Sequence, residues 1–448
     1  MPILSGLSRI RALLRHNPLP WGAIHVGGTN GKGSIVHYIA HMLDVYNTSP
    51  YLAASGHAPL KYGRFTSPHL VDRWDGITFN YGRVVPEGVF RGVEAEVLRQ
   101  GEGSEFEVLT AVAFTIFTRA GVDLAVVEVG MGGKGDATNI LGMEGRKPPL
   151  VTAISRVGLD HTAFLGETVE EIANEKAGIF KHCVPVVVDE GNEGAVMRVL
   201  RDRAEALGCR VAGLEVGKGR GASLLPREEF DGADEKCVLL PHQRRNLSVA
   251  FRATWTALHG LGRLGRKEGR ERLADDMLYF AAYSTRFPGR LQREDVTTLM
   301  DLPPVRKKEK VRKYAVLLDG AHNIQSAEVL SSHVDGHLRG RDNSPVTWML
   351  AFTDTKDVQG MLGKLLKQGD RLLAVEFGDV DGMPWVKPID GERIVEIASE
   401  MGVEAVNFKT DILSAIRTAC NGVQPVVVAG SLYLVGDVLR LKRVSETC

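Results

Sequence analysis

The stretch "IHVGGTNGKGSIVHYIAHML", residues 24–43, commits the chain to a strand, a glycine turn and a helix in one short window. An apolar run ends in two glycines. Thr29, Asn30, Gly31, Lys32, Gly33 and Ser34 follow, and then an apolar pattern of helical period takes over. A strand that feeds a helix through a tight turn is half of a βαβ unit, so the window predicts α/β architecture. It is also the context of a phosphate loop. Glycines let the backbone approach an anion, and the amides at the helix start point at it. The general pattern G-x-x-x-x-G-K-[ST] does not fit: Val26 stands where the first glycine belongs, and Gly33 follows Lys32. The residue types still suit a nucleotide. Lys32 supplies a mobile positive charge, and the Ser34 hydroxyl is placed to reach a magnesium ion.

Short apolar runs alternate with helical periods through the rest of the chain, which predicts a mainly parallel sheet. Strands are expected at 22–27, 123–129, 149–154 and 184–188, and helices at 33–44, 106–119, 167–180 and 243–260. The glycine-rich segment 210–240 has weak periodicity and reads as a small β excursion. A second α/β series follows "RFPGRLQ" at 286–292, with strands expected at 314–319, 346–352, 371–377 and 425–430. The expected organisation is a phosphate-loop ATPase domain over 1–288 and a smaller, Rossmann-like α/β domain over 289–448. A chain of 448 residues is too long for one core. The basic linker at 303–313 lacks interleaved aromatics and reads as a solvated loop, not a nucleic-acid patch.

Composition narrows the function class. Lys+Arg and Asp+Glu are equal at 55 each, so no overall charge draws the chain to nucleic acid or acidic membranes. Five cysteines, at 183, 209, 237, 420 and 448, form no CxxC pair. That argues against zinc and against a secreted disulfide framework, and for a reducing compartment. No apolar run approaches the roughly 20 residues of a membrane span. The N-terminus is basic and acid-free, as a mitochondrial presequence would be. A short amphipathic helix ending before Pro18 is the favoured reading, because the phosphate-loop strand starts a few residues later. A cytoplasmic monomer is expected, with a mitochondrial location as the alternative.

Other candidate groups sit at the ends of apolar runs. Glu128 ends one and precedes Gly130, Gly132, Gly133 and Gly135; a carboxylate there is placed for magnesium. Asp160 and His161 follow another run. Lys176 lies in a helical pattern, where a lysine is usually solvated. Asp319 and His322 fall on a turn after a strand, Arg290 lies at the domain junction, and "PHQRRNL" at 241–247 opens a helix. From the residues alone, a magnesium-dependent ATP-using enzyme is indicated, with a non-catalytic nucleotide-binding module as the rival.

Together "GTNGKGS", "FTSPHL", "EVGMGG" with "DATN", "LDHTAFLG", "EKAGIFK", "FPGR", "DGAHN" and "GSLYLVG" occur in the order found in the folylpolyglutamate synthase and dihydrofolate synthase family. The chain resembles that family, a relative of the Mur ligases, over nearly its whole length. The resemblance implies ATP-dependent amide ligation, in which a substrate carboxylate becomes an acyl phosphate and the amine of L-glutamate attacks it. It implies that Thr29 and Asn30 through Ser34 bind ATP phosphates, with Asn246, Arg290 and Asp319 as further ATP contacts. Ser67 and Glu128 would hold one Mg2+, with Glu128 and His161 near a second. Lys176 matches a lysine that is carbamylated in relatives, and His322 lies beside the expected glutamate site, where Ser431 is a further candidate contact. Ser104, Glu105, Phe106 and Glu107, with Gly135, Asp136 and Ala137, fall where the pterin substrate lies in bacterial relatives.

Two departures bear on the substrate. Bacterial relatives usually carry Arg or Lys, then Leu, before "DATN"; here Lys134 and Gly135 stand there. After "SPHL" most polyglutamylating relatives have an arginine-rich segment, whereas this chain reads "VDRWDGITF", with a net negative charge of one over residues 72–75. Fungal dihydrofolate synthases resemble the "DRWDGI" form. Dihydropteroate is therefore the expected acceptor, and folylpolyglutamate synthase acting on a reduced folate, or a bifunctional enzyme, is the alternative. A Mur-type peptidoglycan ligase is disfavoured by "FTSPHL", "DATN" and "EKAGIFK".

Overall fold

The computed structural model describes residues 6–160, 162–212, 239–300, 313–339 and 343–447. The chain divides into two compact units. The first comprises Met1–His69 and Trp74–Thr285, and the second Leu70–Arg73 and Arg286–Cys448.

The strands of the first unit are β1 (Gly22–Gly27), β2 (Tyr62–Phe65), β3 (Ile77–Phe79), β4 (Arg83–Val84), β5 (Leu124–Glu128), β6 (Val151–Ile154) and β7 (Val186–Val188). Their order in the sheet is β4-β3-β2-β5-β1-β6-β7. Pairing is parallel from β2 to β7, and β3 and β4 add an antiparallel edge. β1 and β5 are buried along their whole length, which is why they read as continuous apolar runs. The order reverses at β1, which lies between β5 and β6: β2 is on the β5 side and β7 on the β6 side. In such sheets ligands bind at the carboxyl ends of the strands at that switch point.

The helices of this unit are α1 (Ser8–Leu13), α2 (Lys32–Thr48), α3 (Pro50–Ser55), α4 (Glu87–Leu98), α5 (Glu105–Ala120), α6 (Thr162–Leu165), α7 (Val169–Lys176), α8 (Gly194–Ala206), α9 (Pro241–Gly260) and α10 (Arg270–Ser284). α1, α4 and α5 bury Ile10, Phe90, Val93, Phe114 and Phe117 against Ala23, Phe65 and Val127 of the sheet. α7 and α8 build a second core on β6 and β7, and α2 packs with α9 and α10. α5 starts in a capping box between Ser104 and Glu107 and ends at Gly121 in the left-handed region. Such a cap is worth about 1 kcal/mol.

The second unit carries β8 (Gln292–Asp295), β9 (Ala315–Leu318), β10 (Thr347–Leu350), β11 (Arg371–Ala374), β12 (Glu404–Asn407) and β13 (Val426–Ala429), ordered β12-β11-β10-β13-β9-β8. All neighbours are parallel except β8 with β9. Its helices are α11 (Ile324–Val334), α12 (Val358–Leu365), α13 (Gly391–Glu400), α14 (Ile412–Cys420) and α15 (Leu432–Thr447). They sandwich the sheet between two apolar cores.

The expected strands and helices are all present; most strands are a few residues shorter than expected, and α2, α5 and α9 run longer. α7 stops at Lys176 and tightens into a 3-10 turn over Ala177–Ile179. β2, β3, β4, β8 and β12 were not anticipated, because segments of two to four residues are too short for an apolar run to stand out. The β excursion expected at 210–240 appears as one bridge, Val186 with Val211; residues 213–238 lie outside the described residues, as does most of the basic linker. Among the described residues no helix is long and apolar enough to cross a membrane.

Candidate active site

β1 delivers the glycine loop to the amino end of α2. Gly31 is the residue before the helix, at φ 97, and no side chain caps the first turn. No acidic residue lies in that turn either. The open amides and the helix dipole therefore favour an anion there. The loop is braced from β6: Thr29 and Asn30 amides donate to Arg156 O at 2.9 and 3.1 Å. Thr29 Oγ1 and the Gly158 backbone exchange hydrogen bonds of 3.1 Å. Lys32 Nζ folds back onto Thr29 O at 3.2 Å. Gly33 and Ser34 are half-buried on the first turn. Asn246, buried on α9, lies so close that a side chain at Gly31 would meet its Oδ1 at 2.5 Å. Glycine is required at Gly31 for both reasons, its left-handed backbone and this contact.

Glu128 ends β5 and is buried. Its Oε2 accepts from Ser67 N at 3.2 Å, and its carboxylate lies 3.6 Å from the position of a side chain at Gly33. A carboxylate beside an anion-binding helix start would repel that anion, and a cation between the two removes the conflict. Glu128 and Ser67, with phosphate oxygens, are the kind of sparse oxygen set that magnesium accepts. The residues thus fit both nucleotide phosphates and a hard divalent ion. Among the described residues no group of three or more His, Cys, Asp or Glu side chains makes a self-sufficient metal site. His161 lies outside the described residues.

Lys176, at the end of α7, is not the solvated lysine that its helical setting suggested. It is buried, and its Nζ donates to Gly28 O at 2.9 Å. Burial, with the Lys32 charge adding, brings its pKa down to about 7. Its neighbour Glu175 holds the glycine-rich loop after β5: Lys134 N donates to Glu175 O at 2.9 Å and Gly135 N to Glu175 Oε1 at 3.2 Å. Gly135 is exposed, whereas Asp136 and Ala137 are buried. Asp136 accepts from Met131 N at 2.9 Å and from Thr138 N at 3.0 Å.

The start of α5 is mostly committed to structure. Ser104 Oγ accepts from Glu107 N at 3.3 Å, and Glu107 Oε2 accepts from Ser104 N at 2.7 Å. Glu107 also pairs with Arg9 at 2.8 Å. Phe106 stacks on Phe65 with ring centroids 6.1 Å apart and lies against Gly130. Glu105 opens the helix beside them.

In the second unit Asp319 follows β9. Its carboxylate accepts from Leu291 N and Ala321 N, both at 2.8 Å. Burial raises its pKa, opposed by the nearby Arg290 and those amides. His322 Nδ1 donates to Gly320 O at 2.7 Å. Ser431 is buried, and its Oγ accepts from Tyr433 N at 3.1 Å. Arg290, Asp319 and His322 therefore share one strand end.

The segment after "SPHL" does more than carry charge. Leu70 packs into the second unit's core, and Arg440 Nη2 on α15 donates to Val71 O at 2.7 Å. Arg443 pairs with Asp72 through two contacts, at 2.5 and 3.1 Å. Arg73 is buried. Trp74 packs beside Phe90, with the Arg91 guanidinium 5.3 Å above its ring. The Asp72 charge is thus spent on Arg443, and the net-charge reading of this segment loses one of its two carboxylates.

Sequence reasoning overlooked His25 and Thr138. Both lie inside quoted motifs, and the available signal was a histidine in the middle of an all-apolar strand.

Comparison with known proteins covers both units. Residues 299–441 match a family described as "Dihydrofolate synthetase, C-terminal domain". A probable dihydrofolate synthetase of Schizosaccharomyces pombe is 37% identical over 455 residues, covering 98% of this chain and 99% of that protein. The dihydrofolate synthetase of Saccharomyces cerevisiae is 31% identical over 463 residues, covering 98% of each. A solved structure of Mycobacterium tuberculosis folylpolyglutamate synthase complexed with ADP aligns with a TM-score of 0.70 at 25% identity, over 97% of this chain and 94% of that one.

Proposed function

Because the chain belongs to the dihydrofolate synthetase and folylpolyglutamate synthase family of ATP-dependent glutamate ligases, we propose that it joins L-glutamate to dihydropteroate, giving dihydrofolate, ADP and phosphate. One observation carries the ligase site: the uncapped, acid-free start of α2, with Lys32 on it and buried Glu128 beside it. The acceptor is supported by two fungal relatives that match from end to end and are named dihydrofolate synthetases. ATP supplies the phosphoryl group that makes the acid an acyl phosphate, and magnesium offsets the charge that gathers as it moves.

The chain's own residues then have the following parts. The amides from Gly31 to Ser34 at the start of α2, with Asn30 and Lys32, hold and orient the phosphates. Thr29 shapes the loop, and Asn246 lies against it. Glu128 and Ser67 hold the metal, with His161 at a second position. Arg290 and Asp319 complete the nucleotide contacts. His322 and Ser431 face glutamate. Gly135 to Ala137 and the start of α5 from Ser104 to Glu107 border the pterin acid. Positioning and charge compensation supply most of the rate, as in phosphoryl transfer generally.

Lys176 has its own role. An amine held near neutrality is free to attack carbon dioxide: the new N–C bond forms, one proton leaves, and a carbamate anion remains. That anion would attract magnesium where an ammonium repels it. A crystal structure of the active enzyme should show the extra carbamate atoms on Lys176; a well-ordered, unmodified lysine turned to solvent would contradict the role.

The acceptor is tested by ADP release with ATP, magnesium and L-glutamate, comparing dihydropteroate with tetrahydrofolate. Turnover on dihydropteroate alone is expected. Turnover on tetrahydrofolate alone reverses the assignment to folylpolyglutamate synthase, and comparable rates make the enzyme bifunctional.

A further inference from the structure

His25 sits in the middle of β1, a strand buried on both faces. A histidine there must find partners for its ring nitrogens or pay for burying them. Its Nε2 is 2.8 Å from Thr138 Oγ1. Thr138 Oγ1 donates in turn to Asp136 Oδ1. That carboxylate also accepts main-chain N–H groups on both oxygens, from Thr138 and Met131. Burial raises the Asp136 pKa, and the donors gathered on both oxygens oppose that rise by stabilising the carboxylate. The hydroxyl proton therefore belongs to the carboxylate, and the hydroxyl oxygen accepts from His25 Nε2–H.

This order sets the tautomer and leaves Nδ1 bare. Nδ1 has no partner among the described residues, and neither has Thr152 Oγ1, which lies in register with His25 on β6. The far end of the loop that carries Thr138 has its own tie. Lys181 Nζ donates to Asn139 O at 3.1 Å and to Asn139 Oδ1 at 2.7 Å. Asn139 Nδ2 bonds Lys134 O at 3.0 Å and Gly178 O at 3.2 Å.

We propose that His25 is a positioning residue for the pterin acid: through Thr138 and Asp136 it locks the Gly130–Ala137 loop to the strand that carries the phosphate loop. The role rests on the reading that Gly135 to Ala137 border that substrate. Burial, with the Lys181 charge adding, keeps the ring pKa near 3, so the donor persists across physiological pH. A substrate loop and a phosphate loop tied through one side chain hold the carboxylate and the phosphoryl group in a fixed relation, which is what a transfer between them needs.

Steady-state kinetics on the full-length enzyme test this, with whichever pterin acid the wild type turns over. A wrong choice of acceptor then shows in the wild type alone and leaves the test of His25 intact. Thr138→Val removes the hydroxyl at constant shape, His25→Leu removes the donor, and His25→Gln returns an N–H near the Nε2 position. KM for the pterin acid should rise about tenfold in Thr138→Val and His25→Leu, the scale of one buried hydrogen bond. KM for ATP should stay within about twofold in both, and His25→Gln should recover most of the loss. The Thr138→Val/His25→Leu double variant should be no worse than either single one, since both cut the same chain. An unchanged pterin KM in Thr138→Val, or a rise confined to ATP, overturns the proposal. If His25→Leu does not fold, Thr138→Val and His25→Gln decide it.

Discussion

The two units bury charge in opposite ways. In the second, Arg339 and Asp370 form a sealed pair at the amino ends of β10 and β11. Asp370 accepts from Arg339 Nη1 at 2.6 Å, Val346 N at 2.9 Å, Lys367 N at 3.0 Å and Trp348 Nε1 at 3.0 Å. Burial alone would raise the Asp370 pKa, but these donors outweigh it and hold it low. In the first unit two buried groups beside the phosphate loop are short of partners. Lys176 has three N–H donors and, among the described residues, one hydrogen bond. Ser155 Oγ, beside Gly28, has none among them. A saturated network rigidifies, whereas an unsaturated one is costly until a ligand completes it. The Arg339–Asp370 cluster is therefore spent on stability, and the groups beside the phosphate loop are held open for chemistry.

The sharpest way to break this contrast is to damage each cluster and see which quantity falls. Arg339→Leu strands Asp370 in the core and should cost about 3–5 kcal/mol in denaturant unfolding. The kcat of the protein that remains folded should stay near wild type. A loss of activity without a loss of stability would mean that the sealed cluster is not structural. Lys32→Ala should do the reverse, cutting turnover by about 100-fold or more, the cost of a lost charge-stabilising donor. Its melting temperature should be little changed, and near-normal turnover would remove Lys32 from the site.

His25 extends the contrast to pH. Its folded pKa of about 3 lies below the ordinary histidine value of 6.5. Between the two, the unfolded chain binds a proton that the buried ring refuses, so stability falls as pH drops through that window. For this group the loss from pH 7 to 5 is roughly 2 kcal/mol. His25→Gln should show a correspondingly flatter pH dependence, read as the difference between the two proteins' unfolding free energies. Parallel curves would show that the ring is not held neutral. The smallest effect is expected at the Arg443–Asp72 pair, whose Arg443 side chain is half exposed. Solvent screening limits Arg443→Ala to about 0.2–1 kcal/mol. A larger loss would show that the Leu70–Arg73 docking depends on that pair rather than on Leu70 and Arg440.

Much of this was legible in the chain itself. β1 and α2 were readable because an apolar run, a glycine turn and a helical period succeed one another without interruption. Glu128, Lys32 and the "DATN" loop were readable because glycines mark where backbone must turn or come close. Lys176 was placed by motif, but its local pattern pointed to solvent. Helical periodicity reports only how a residue relates to its own helix, not that the end of α7 runs under the phosphate loop. The "DRWD" segment was legible only in part for the same reason: its charge was visible, but the partner of Asp72, Arg443, lies 371 positions away.

Residue order alone determined the α/β class, the family and the position of the phosphate loop, because each depends on local spacing of apolar, glycine and polar residues. The tertiary structure decided what local spacing does not encode. It buried Lys176 beside Lys32, and it set Asn246 against Gly31 from a helix far along the chain. It also joined His25 to Asp136 through one threonine hydroxyl. The reason is that burial and hydrogen-bond partnership are made by the parallel crossovers of the sheet. They bring distant strand ends to one edge, and there a side chain's charge and tautomer are set by neighbours that the sequence keeps far apart.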